Sequence, residues 1–283
     1  MKIFLLIILY VFPNSFLLSQ KVSSITFENW RDENWENSMR QTNIYDSSGY
    51  LITTLTDLWD TSLKHYYKWM KISYLNNDDS TVRESITQTF NVMDSSWINF
   101  QRLTYEYTKS KKPSLMVQHL RVNEKWIGGN KTSYIYDDSG FVTNIVTVSW
   151  SDVSDSFENL QNLIYTNDHK GVPQKLISEI WDNEINAWKN SQRFTYSYNE
   201  KNQAIISTIE TSINNQFQNS VKQLNKYDST GHLIAILMQR WDQNSNSYQD
   251  YQQTIYINND YTVQVWFGIW LNSQRATYTY LKD

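Results

Sequence analysis

Trp188-Lys189-Asn190-Ser191-Gln192-Arg193-Phe194-Thr195-Tyr196-Ser197-Tyr198 alternates with a period of two. Trp, Asn, Gln, Phe and two Tyr fall on one side, and Lys, Ser, Arg, Thr and Ser on the other. That period belongs to a half-buried β-strand, since a helix would repeat every 3.6 residues. The same segment recurs along the chain. Its aromatic anchor returns at Trp35, Tyr66, Trp97, Trp126, Phe157, Trp188, Phe217, Tyr248 and Trp270, in steps of about 31 residues. Five residues past the anchor, seven of nine copies are basic: Arg40, Lys71, Arg102, Lys131, Arg193, Lys222 and Arg275. Eight past it, seven of nine are Tyr. Internal repetition on this scale sets the architecture.

A longer period of 91 residues overlies the short one. It aligns Tyr45, Tyr136 and Tyr227, then Asp46, Asp137 and Asp228, then Gly49, Gly140 and Gly231, then Trp59, Trp150 and Trp241. The units are 35–125, 126–216 and 217–283, the last shortened before Trp270. Each short repeat reads as a hairpin. The anchor strand runs into Asp-Ser-Ser-Gly (46–49), Asp-Asp-Ser-Gly (137–140) or Asp-Ser-Thr-Gly (228–231). Asp bonds its own backbone and Gly takes positive φ, so these are turns. A return strand such as 50–59 follows, with Leu51, Leu55 and Trp59 expected on one face. Pro113 and Pro173 fall at the start of this strand, where a missing N–H is tolerated.

The expected fold is therefore all-β, an antiparallel meander of about nine hairpins. Open sheets rarely exceed about ten strands, so about 18 strands should coil into a curved sheet, a spiral or a shell. Exposed first and last strands would then allow end-to-end self-association. An outer-membrane barrel is disfavoured at this stage. Such barrels need an apolar outward face, whereas one strand face carries Asn and Gln and the other Arg or Lys.

Composition restricts the function classes. Aromatics are 15% of 283 residues, which excludes a disordered chain. Net charge −4 argues against nucleic acid as a partner. The absence of Cys removes disulfides and thiolate zinc sites. Lys2, the apolar run 3–12 and small Ser19 read as a secretion signal over 1–19, too short to span a bilayer. The mature chain, 20–283, is expected as a single domain that is secreted, extracellular or at the cell surface, with the periplasm as the remaining compartment and no membrane span after signal cleavage.

The turn residues resemble a known family. Lys131…Tyr134-Ile135-Tyr136-Asp137-Asp138-Ser139-Gly140-Phe141-Val142 is similar to the tyrosine–aspartate (YD) repeat of Rhs-type bacterial surface and toxin proteins. Residues 40–51 and 222–233 share the pattern, and Trp-x-Asn-Ser at 35, 188 and 270 resembles secreted hairpin-repeat proteins of gliding-type bacteria. The resemblance implies a coiled hairpin sheet used for binding, adhesion or encapsulation, with no catalytic residues in the repeats.

The chemistry that can be read from side chains points to binding without catalysis. No H-E-x-x-H, G-x-S-x-G or phosphate-binding Gly loop occurs, and the four His show no metal spacing. The Asp-rich turns fit turn capping better than calcium. No cofactor or metal is expected. The candidate ligand-binding residues are the basic ladder (Arg40, Lys71, Arg102, Lys131, Arg193, Lys222, Arg275), expected on the face opposite the anchors, with Trp69 and Trp266, which fall outside the aromatic pattern. Such a ladder would read an acidic polysaccharide or a carboxylate-rich protein. A purely structural scaffold is the alternative. A glycan-active enzyme using Glu33, Asp57, Glu84 or Glu179 ranks third.

Overall fold

The computed structural model describes residues 21–257 and 260–281. The expected secretion signal lies outside them. Eighteen strands follow one another without a helix: β1 (Val22–Arg31), β2 (Asn34–Tyr45), β3 (Leu51–Asp60), β4 (His65–Asn76), β5 (Val82–Asn91), β6 (Ser96–Tyr107), β7 (Pro113–Val122), β8 (Lys125–Tyr136) and β9 (Val142–Ser151) form the first half. The second half is β10 (Ser156–Asn167), β11 (Pro173–Asp182), β12 (Ala187–Tyr198), β13 (Ala204–Ile213), β14 (Gln216–Tyr227), β15 (Leu233–Asp242), β16 (Ser247–Ile257), β17 (Asp260–Trp266) and β18 (Trp270–Tyr280). Each pairs antiparallel with its sequence neighbours, and both prolines open their strands as expected.

The expected open coil or spiral is wrong: the sheet closes. β1 pairs with both β2 and β18, through Ile25↔Tyr278, Phe27↔Ala276 and Glu28↔Arg275, so the eighteen strands form one barrel. The reason lies in how the repeat is cut. Among the described residues, β18 is an anchor strand with no return strand after it, and β1 is a return strand with no anchor strand before it. Together they complete a ninth hairpin from the two ends of the chain. The free edges on which end-to-end pairing would rely are thereby joined to each other, and Lys21 O accepts from Leu281 N beside the seam.

Eighteen strands at about 4.8 Å give a ring about 86 Å around, measured across the strands. Barrels of this strand number leave an aqueous channel. Burial agrees, since among described hydrophobic residues only Leu176, Phe194 and Ala276 are buried. Thr54, Thr56, Ser85, Thr132 and Ser178 are buried as well, and all of these eight share one face of the wall.

That sharing depends on a feature the alternation conceals. In each anchor strand the register slips by one residue, three positions past the anchor, at Ser38, Trp69, Phe100, Gly129, Leu160, Ser191, Ser220, Tyr251 and Ser273. A bulge inserts one residue and exchanges the faces beyond it. Trp188 and Asn190 thus share a face with Arg193 and Thr195, while Gln192, Phe194, Tyr196 and Tyr198 point the other way. A second bulge near the start of the return strand moves Leu51 off the face of Leu55 and Trp59. The wall has one charged face, bearing the anchors and the basic residues, and one face uncharged at mid-height, bearing Gln, Thr and the Tyr rows.

The two rims differ. On the anchor side, three turns have two residues at positive φ, Asp32–Glu33, Asn123–Glu124 and Asn214–Asn215, recurring every 91 residues. Both central residues at positive φ mark the tight hairpin turn that matches strand twist. On the Tyr side, Gly49, Gly140 and Gly231 stand at φ 82°, 79° and 95°, as the turn reading requires. There Asp137 Oδ1 accepts from Phe141 N, and Gly140 N donates to Asp137 O. In the equivalent turn Asp228 is held down to about 2 by the Thr230 hydroxyl and the His232 N–H.

Gly140 tests this assignment. A Cβ there would stand 2.6 Å from Lys112 Nζ, which donates to Gly140 O, and its φ opposes β-branching. Gly140→Val is expected to lower stability by about 1–3 kcal/mol, read by urea unfolding; a midpoint equal to wild type would contradict the turn.

Candidate functional site

The bulge brings the predicted basic ladder onto the aromatic face instead of the opposite one. Six of the seven bases then reach the anchor of the following repeat. Arg40 lies over Tyr66 at 4.5 Å, Lys71 over Trp97 at 5.1 Å and Arg102 over Trp126 at 5.2 Å. Arg193 lies over Phe217 at 4.6 Å, Lys222 over Tyr248 at 5.6 Å and Arg275 over Trp35 at 4.8 Å. These distances are in the range of cation–π attraction.

The return strand between base and aromatic supplies a second partner. Arg40 Nη2 donates to Asp57 Oδ2 at 2.9 Å, and Arg193 grips Glu210 with two bonds of 2.5 and 2.6 Å. Arg275 grips Glu28 in the same two-pronged way across the closing seam. The carboxylates raise the pKa of Arg193 and Arg275 by hydrogen bonding to the charged form. Where the base is replaced by an amide the contact survives: Asn162 donates to Glu179 and Gln253 to Gln264. Lys131 faces Val148 and is the member of the row with neither an acid nor a ring partner among the described residues.

The acid is present at Arg40, Arg193 and Arg275, whereas Lys71 faces Gln88 and Lys222 faces Gln239. Opposite Arg102 the acid is replaced by His119, and both Arg102 Nε and His119 Nδ1 are buried without a hydrogen-bond partner. Burial, and then the Arg102 charge, lower the pKa of His119. Seven of the nine anchors pair with the ring that ends the preceding strand, as in Trp30–Trp35 at 5.0 Å and Trp181–Trp188 at 5.1 Å, while Arg121 stands over Trp126 and Ser212 faces Phe217. Such pairs contribute about 0.5–1.5 kcal/mol beyond area burial. Trp266 belongs to this set, packing on Trp270 at 5.0 Å, so it is the closing ring of the eighth repeat, whose return strand β17 is shortened, and not an outlier.

Trp69 is different. It sits on a bulge and is 42% exposed. The other bulge residues are Ser in four repeats and Gly in one, but Phe100 and Leu160 are also exposed, at 52% and 41%. Tyr251, the remaining member, is covered by Arg240 at 4.8 Å. Sequence reasoning singled out Trp69 but missed Phe100 and Leu160, because the bulge that aligns the three was not apparent.

The carboxylates weighed as an acid/base pair are dispersed. Asp57 is engaged by Arg40 and Glu179 by Asn162, eight strands apart, while Glu33 forms a turn and Glu84 sits on β5. Among the described residues no group of three His, Asp or Glu is placed to hold a metal ion.

No protein-family profile matches the chain, and no curated protein does. Among solved structures, a porin-like protein from Bacteroides uniformis overlaps 92% of this chain and 96% of its own length, at 9% identity and TM-score 0.44. A protein of unknown function from Bacteroides fragilis overlaps 46% of this chain and 94% of its own, at 16% identity and TM-score 0.39. The TcdB2-TccC3 structure overlaps 84% of this chain at 12% identity and TM-score 0.40, and the overlap is 14% of that much longer chain.

Replacing His119 by Glu supplies the missing acid. His119→Glu is expected to raise Tm by about 2–4 °C at pH 8. Because the folded-state pKa of His119 lies below its unfolded value, wild-type stability falls as pH drops through about 6.5. The gap between variant and wild type should therefore widen from pH 8 to pH 5.5 in thermal melts; a lower Tm for the variant would contradict the clamp.

Proposed function

We propose that the protein is an exported, non-enzymatic barrel displayed at the cell surface, working as a recognition body for a glycan or protein partner. Its resemblance to YD repeats and the N-terminal run read as a secretion signal support this reading. The charged face bears the clamp row and the other bears Gln41, Gln101, Gln118, Gln161 and Gln192 near mid-height. Neither is the continuous apolar band that a lipid-embedded barrel needs.

The observation that carries recognition is the distribution of exposed apolar side chains. Eighteen of the twenty-four lie in the anchor-side half; the other six are Ile44, Tyr50, Leu75, Ile135, Ile257 and Leu281. Hairpin tips on that side carry Leu63, Met93, Val153, Ile185 and Phe267, all more than half exposed, while the Tyr-side turns from 46–49 through 228–231 are wholly polar. Concentrated exposed apolar surface marks contact sites. The scaffold reading has one observation in its favour: six of the seven basic candidates are committed to contacts within the barrel, so they build the wall.

Surface display is tested by proteolysis and antibody labelling of intact cells producing the full chain, followed by extraction. Labelling of intact cells, with release into high-salt or carbonate buffer, is expected. Protection in intact cells, or release by detergent alone, would overturn the assignment.

A further inference from the structure

From the bulge row we infer that the barrel wall between β4 and β10 binds a linear neutral glycan across Trp69, Phe100, Gly129 and Leu160. This rests on the recognition reading above and names its site and ligand class.

The row stands out because the repeats are otherwise equivalent. A bulge occurs in every anchor strand, so its geometric role is met by Ser, as at positions 38, 191, 220 and 273. An aromatic there adds nothing to register. Yet Trp69 and Phe100 occupy it in adjacent repeats, and both keep about half of their surface in solvent. Leaving a Trp uncovered forgoes the stabilisation that burying its apolar surface would give. Their neighbours Tyr67 and Ile98 are exposed too, at 40% and 49%.

Spacing favours a sugar chain. Trp69, Phe100, Gly129 and Leu160 lie on β4, β6, β8 and β10, two strands apart, so the row advances by about 9.6 Å. That is the scale of one disaccharide in an extended β-linked chain. Aromatic faces offer negative quadrupole to the C–H-rich face of a pyranose. Beside the platforms stand amides suited to hydroxyl groups: Gln118 Nε2 donates to Gln101 Oε1 at 2.9 Å on the same face. Gly129 leaves a slot in the row, since a side chain there would meet Gln118 at 3.0–3.2 Å. A flat protein partner would need a broad buried core; this strip is two side chains deep, with Tyr67 beside Trp69 and Ile98 beside Phe100.

Charge favours a neutral ligand. At mid-height the uncharged face presents Met70, Thr87, Gln101, Gln118, Thr132 and Thr147 over these strands. Six of the seven ladder bases that would select uronates or sulfates hold ring partners within the wall, on the opposite face.

Calorimetry of the purified full-length mature chain against linear neutral β-linked glucan, mannan and xylan hexasaccharides, with a uronate hexasaccharide alongside, tests the inference. At least one neutral oligosaccharide should bind, with affinity changing less than about twofold between low and physiological salt. Trp69→Ala and Phe100→Ala should each weaken binding about tenfold or more, Trp69→Phe should retain most of it, and Trp266→Ala should leave it unchanged. Unaltered Tm values would show that the variants fold. No binding to any neutral oligosaccharide, binding indifferent to Trp69→Ala and Phe100→Ala, or binding of the uronate alone would overturn the inference. A concentration-dependent dimer abolished by Trp69→Ala, without sugar binding, would assign the row to self-contact and equally overturn it. Surface display of the barrel would stand in each of these cases.

Discussion

The barrel depends on a base–aromatic contact repeated around its charged face and completed at Arg40, Arg193 and Arg275 by a carboxylate on the return strand. Arg193 with Glu210 and Phe217 shows it complete, and Arg40 with Asp57 and Tyr66 repeats it. Each such contact ties three consecutive strands. A wall without a filled interior cannot rely on a hydrophobic core, and among the described residues only three apolar ones are buried. Cross-strand contacts on both faces must therefore supply the specificity that core packing gives to compact domains. Hydrogen bonds to charged groups contribute about 1.5–3 kcal/mol when partly shielded, and Glu210 and Glu28 are among the better shielded acids, at 16% and 15% side-chain exposure.

Closure uses the same contact. Arg275 on the last strand grips Glu28 on the first and covers Trp35, so the seam between chain ends repeats an internal hairpin. The ends need no device of their own. Splitting the ninth hairpin between the termini makes each end strand incomplete without the other, and an incomplete edge is costly to leave open.

Much of this was legible in the chain. The 31- and 91-residue periods define nine anchors, and the Asp-x-x-Gly turns at 46, 137 and 228 predict positive φ where it occurs. Two things escaped. Alternation was carried straight through Ser191, so Arg193 was placed opposite Trp188 when the bulge puts both on one face. A bulge leaves little mark in composition, because Ser, Gly, Leu, Trp and Phe all occupy it. Closure also escaped, because strand count alone permits a coil or a ring. The signal was present in residues 22–31, which carry the Glu and Trp of a return strand ahead of the first anchor. Of the candidate site, Trp69 was identified from its misfit to the pattern, while Phe100 became visible once both fell at equivalent bulges.

Closure of β1 on β18 is the claim on which the rest stands, and the absence of native Cys makes it directly measurable. Phe27 and Ala276 are directly opposed across the seam, at a separation antiparallel partners share with disulfides, about 4.5–5.5 Å between Cα atoms. Phe27→Cys combined with Ala276→Cys should oxidise to an intramolecular bond in a monomer, seen as a mobility shift on non-reducing gels that reductant reverses. Free thiols under the same conditions, or cross-linking solely between chains, would mean that the sheet remains open.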